Sequence, residues 1–139
     1  MKEAIRGTVV KGRNSYCGPF AVGFCAGISP DTVTKYLRHE TGQRKITDMG
    51  VFDIESSLSH FGCSFSVEIP FLPGRTTTLK DWFDNRSDTN GRYIVFLWNH
   101  FIVVDKDTVM DNNNSKGYPV DDRKHSLVHM VWKIDSISN

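Results

Sequence analysis

The run Tyr93-Ile94-Val95-Phe96-Leu97-Trp98 constrains this chain more than any other stretch. Six consecutive aromatic, β-branched or leucine side chains leave no polar face. A strand built from them must be covered on both sides and lie inside its sheet. Asn99-His100 interrupts the run and Phe101-Ile102-Val103-Val104 resumes it. Asp105-Lys106-Asp107 then turns the chain back through Thr108-Val109-Met110 to Asp111. Asn112-Asn113-Asn114-Ser115 reads as a loop, and Ser126 to Ile134 as a closing strand. Further upstream, Cys63 to Ile69 alternates apolar and polar residues, as a half-buried strand does.

Before Cys63 the period is helical. Cys17-Gly18-Pro19 opens a short apolar helix, with proline in the first turn, where its missing N–H has no partner to lose. Gly27 stops that helix. Ser29-Pro30-Asp31 starts a second, with Ser as N-cap, and Val33, Tyr36 and Leu37 recur on one side of it. Val51, Ile54, Leu58 and Phe61 form the stripe of a third, from about Met49 to Phe61, ended by Gly62. Thr78 caps a short fourth carrying Leu79, Trp82 and Phe83. Ala4 to Val10 reads as a lead-in strand, and Pro70 to Thr77 as a loop. The order predicts one α+β domain over residues 1–139, N-terminal helices packed on a C-terminal antiparallel sheet.

Composition excludes several classes. A net charge of +1, with no strong Lys/Arg run, gives no nucleic-acid footprint. No apolar run approaches the ~20 residues of a membrane helix, and Met1 to Arg6 lacks the apolar core of a signal peptide. Three cysteines without metal-like spacing argue against a disulfide framework and a zinc site. A reducing, cytoplasmic setting is the expectation, with no metal or organic cofactor.

The chemistry centres on Cys17. A thiol at the mouth of a helix sits at the positive end of the dipole, which favours thiolate. It needs a base, and the base an orienting group. His100 and Asp111 flank the predicted hairpin, and every plausible turn puts them on one face of the sheet, opposite or diagonal. Asp111 accepting from one ring nitrogen would leave the other for Cys17. Taken singly, Cys17 reads as a buried small hydrophobe, His100 as a strand-end histidine and Asp111 as a turn residue. Cys25 and Cys63 read as core, and His39, His60, His125 and His129 lack a comparable partner geometry.

The blocks Tyr16-Cys17-Gly18-Pro19-Phe20-Ala21 and Gly91 to Asn112 resemble the two signature regions of the papain-like cysteine peptidase superfamily. The likeness is nearest to its small members, the bacteriocin-processing peptidase domains and the compact cysteine peptidases of bacteriophage genomes. The resemblance implies Cys17 as nucleophile, His100 as general base and Asp111 as orienter, acting on a peptide or isopeptide bond in a protein or peptide substrate. Such enzymes commonly carry a Gln several residues before the Cys; this chain has none there. Asn14 is the natural substitute as oxyanion donor, and as readily a turn residue. The same three residues would serve an amidase, deamidase or acyl transferase. The fold without activity would serve as a protein-binding or inhibitory module. Tyr16, Phe20, Trp98 and Phe101 are placed to line a substrate groove or to fill the core.

Overall fold

A computed structural model of the chain describes residues 16–46, 49–69, 77–97 and 100–137. The lead-in strand expected over Ala4 to Val10, the candidate donor Asn14, and Trp98 lie outside these residues, as does most of the Pro70 to Thr77 loop. Among the described residues, four helices and one antiparallel sheet of six strands make an α+β architecture.

Local chemistry sets each helix. α1 spans Cys17–Ala26 and stops at Gly27, whose φ of 73° is a left-handed conformation that glycine adopts without strain. α2 spans Pro30–Thr41, its first turn held by the Thr32 N–H donating to Ser29 Oγ at 3.2 Å. α3 spans Val51–His60, shorter at both ends than the stripe predicts. Met49 lies before its start and is buried in the core instead. α4 spans Leu79–Asn85, with the Asp81 N–H donating to Thr78 Oγ1 at 3.1 Å.

The strands are β1 (Cys63–Ile69), β2 (Arg92–Leu97), β3 (His100–Asp105), β4 (Thr108–Asp111), β5 (Asn114–Tyr118) and β6 (Val128–Ile137). Their order across the sheet is β1-β6-β2-β3-β4-β5, so β2 is interior, as its unbroken apolar run requires. Alternation divides the core into two layers. Ile94, Phe101, Val103, Met110 and Trp132 pack beneath α1, α2 and α3. On the other face Tyr93, Val95, Ile102, Val104 and Val109 pack with Leu79 and Trp82 of α4 and with Val120. Val120–Arg123 forms a 3₁₀ turn between β5 and β6.

The closing strand β6 starts at Val128 and runs to Ile137 rather than spanning Ser126 to Ile134, and β5 departs further from expectation. Asn114 and Ser115, read as loop, belong to a strand that pairs with β4 through Asp111↔Asn114 and Val109↔Tyr118. It stands at one end of the described sheet, with exposed polar side chains at Asn114, Ser115 and Lys116. Its exposed side chains follow no apolar alternation, so no hydrophobic period marks it.

The hairpin between β3 and β4 fixes the geometry that follows. Asp105 pairs with Thr108, Val104 with Val109 and Val103 with Met110, so the turn is Lys106-Asp107. Lys106 takes a positive φ of 55°, unusual for a side chain of its size. The buried Arg86 guanidinium braces it, donating to the carbonyls of Phe83, Thr89 and Lys106. One side chain thereby ties the end of α4, the 86–91 connection and the hairpin turn together.

Candidate active site

Register alone brings His100 and Asp111 together. Continuing the pairing from Val103↔Met110 sets Asp111 opposite Ile102, and so diagonal to His100 on the same face. The side chains meet there, His100 Nε2 lying 3.1 Å from Asp111 Oδ2. An ionised carboxylate only accepts, so Nε2 carries the proton and Nδ1 is left to exchange one.

Asp111 is 1% exposed and surrounded by donors. Its Oδ1 accepts from the backbone N–H groups of Asn113 at 2.9 Å and Asn114 at 3.0 Å, which fold the β4–β5 turn around the carboxylate. Its Oδ2 accepts from the Tyr118 hydroxyl at 2.9 Å as well as from His100, with Arg123 Nη2 at 3.5 Å. Burial works against the charge here, yet the bonds from His100 and Tyr118 and the turn amides outweigh it and hold the carboxyl down at about 2.

Cys17 reaches the same end of the sheet from the helix side. Two-residue hairpin geometry makes Val103↔Met110 a hydrogen-bonded pair, so the amide of Phe101 also points toward the β4 side. The paired residues of the two strands, however, begin at Val103. The Phe101 N–H donates instead to Cys17 Sγ at 3.3 Å. The thiol therefore occupies the open end of the β3–β4 ladder, against the residue next to His100. By alternation His100 and Asp111 belong to the face of Ile102, Val104 and Val109, while α1 packs on the face of Phe101 and Met110. Nucleophile and pair thus flank one strand end from its two sides.

The thiolate expected from the helix dipole is not what the site favours at rest. Cys17 is 1% exposed, and that burial pushes its thiol up to about 12. The N–H groups of Phe101, Gly18 and Cys17 pull the other way, and the charge of Asp111 adds to the rise. Desolvation of a full negative charge exceeds what a ten-residue helix end and three amides return. Cys25 and Cys63 are buried and raised by desolvation too.

Phe20 and Phe101, weighed as groove residues, are core: Phe101 stacks on Phe96 with ring centres 4.6 Å apart, and Phe20 packs with Cys17 and Val22. Tyr16 is buried as well. Tyr118 and Arg123, which complete the surroundings of Asp111, escape a reading of the sequence, since a Tyr and an Arg in a polar stretch carry no signal until β5 folds them back. Among the described residues no three His, Cys, Asp or Glu side chains cluster as metal ligands do. Comparison with protein-family models, with curated proteins and with solved structures returns no match.

Proposed function

We propose that this chain is a thiol hydrolase of papain-like type that cleaves a peptide or isopeptide bond through an acyl-enzyme on Cys17. The observation that carries the reading is the bond from the Phe101 amide to Cys17 Sγ, which fixes the thiol against the backbone of the residue that follows His100, itself held through Nε2 by Asp111. In this scheme the resting nucleophile is the neutral thiol. Its proton passes to His100 as sulfur adds to the carbonyl carbon, and the imidazolium is stabilised by the ionised Asp111. Collapse of the tetrahedral adduct breaks the C–N bond, and His100 returns the proton to the leaving amine. Water then hydrolyses the thioester with His100 again as base. The amide groups at the start of α1 and at Phe101 point at the sulfur, and Asn14 is the proposed oxyanion donor. A reducing compartment such as the cytoplasm suits three free thiols. No helix among the described residues is long and apolar enough to cross a membrane.

The burial of Cys17 favours a second reading, a catalytically silent fold that binds or inhibits another protein. One experiment separates them. Under iodoacetamide, with the modified residues located by mass spectrometry, the hydrolase reading expects Cys17 to react much faster than Cys25 or Cys63. It also expects His100→Ala to abolish that advantage in a folded protein. Slow and equal labelling of all three thiols would leave the silent module.

A further inference from the structure

We infer that Tyr118 and Arg123 are positioning residues for the His100–Asp111 pair, Arg123 orienting the Tyr118 hydroxyl and that hydroxyl holding Asp111 Oδ2 in line with His100 Nε2. Arg123 Nε donates to the Tyr118 oxygen at 2.8 Å, and the Tyr118 hydroxyl donates onward to Asp111 Oδ2 at 2.9 Å. A hydroxyl that accepts from a guanidinium has its own proton directed away from it, here onto the carboxylate. The turn amides of Asn113 and Asn114 fix Oδ1 only. Rotation of the carboxylate about that anchor would carry Oδ2 out of the His100 line, and the Tyr118 bond opposes it.

The three residues come from separate elements. Asp111 ends β4, Tyr118 ends β5 and Arg123 closes the 3₁₀ turn. The Arg123 guanidinium also lies near the face of the Tyr118 ring, 6.0 Å from its centre. Behind them lies an open cleft of about 370 Å³, with Asp122 and Ser126 on its rim. The Arg123 side chain is 35% exposed there and the Asp111 side chain 2%, so the relay runs from the surface to the buried carboxylate. Among the described residues, Tyr118, Arg123 and Asp122 share the cleft with Asp111, and the charge of Asp111 reaches Cys17 on the helix side.

The consequence for turnover rests on the hydrolase reading; the positioning itself does not. Two-bond ¹H–¹⁵N correlation of the histidine rings tests it in the full chain, comparing the unaltered protein with Tyr118→Phe and Arg123→Met. The unaltered His100 is expected as the Nε2–H tautomer when neutral. In both variants the Nδ1–H share should rise several-fold, with the thermal transition still cooperative. A folded Tyr118→Phe protein with an unchanged His100 tautomer overturns the proposal, and Arg123→Met decides it in the same way if Tyr118→Phe does not fold. Iodoacetamide labelling of the same proteins separates the two readings. Should the ring respond while Cys17 of the unaltered protein reacts no faster than Cys25, the positioning role stands and the hydrolase reading falls.

Discussion

At the scale of single residues, the balance of burial against donors decides the behaviour of the two acidic groups at the site, and it decides them oppositely. Asp111 is held at about 2, below the 3.8 of a free carboxyl, because its donors outweigh its burial. A lowered folded-state value stabilises the native protein above the unfolded value, and that contribution is lost as pH falls through the folded one. Asp111 should therefore contribute about 2 kcal/mol above pH 4, disappearing between about pH 4 and pH 2. Denaturant titrations at several pH values check this, and Asp111→Asn should flatten that part of the curve. Asp111→Ala leaves the Tyr118 hydroxyl, the His100 ring and two amides without their acceptor, and should cost about 3–5 kcal/mol at pH 7. Cys17 has few donors for its burial and is raised from 9.0 to about 12. The unfolded thiol ionises first, so stability falls as pH rises above about 9, and Cys17→Ala should shrink that alkaline slope.

At the scale of elements, close approach and bracing matter more than propensity. Gly23 of α1 faces the turn into α2 so closely that an added Cβ would lie 2.7 Å from the Ile28 carbonyl oxygen. Backbone cannot swing aside as a side chain would, so Gly23→Ala should destabilise by about 1–3 kcal/mol in urea unfolding. Arg86→Met keeps much of the buried volume but strips donors from three carbonyls, one of them at the strained Lys106. A loss of at least about 2 kcal/mol is expected by the same measurement. Much of this level is legible in the chain. Ser29 and Thr78 carry their caps in the sequence, Gly27 its stop, and Tyr93 to Leu97 its interior place, because each signal is local. The Lys106-Asp107 turn is one that the residues allow, and the shared face of His100 and Asp111 follows from period two whichever turn forms. β5 is not legible, since its mostly exposed polar side chains leave no alternating pattern. Tyr118 and Arg123 are hidden with it. The protonated state of Cys17 is hidden for another reason: burial is a property of the folded core, while the helix start that argues for thiolate is visible in six residues.

For the molecule as a whole, the sheet is a partition with unequal cover. Among the described residues three helices pack on one face, and one short helix with a 3₁₀ turn on the other. Strands β6, β2, β3 and β4 are bonded on both sides, while β1 and β5 stand at the two ends of the described sheet. Amide hydrogen exchange should follow that order, with Tyr93 to Val95 and Ile102 to Val104 slowest and β5 opening first. Early opening of β5 would withdraw Tyr118 and the turn amides from Asp111 before the core loosens, so acid should act on the site before it acts on the fold. The open end of the β3–β4 ladder has a consequence of its own. There a backbone donor that elsewhere would find a carbonyl ends on sulfur, making the peptide of Phe101 a built-in reporter on the nucleophile. Ionising or alkylating Cys17 must move that amide resonance, whereas modification of Cys25 need not. The sheet itself can thus be used to watch the thiol change state, with no substrate in hand.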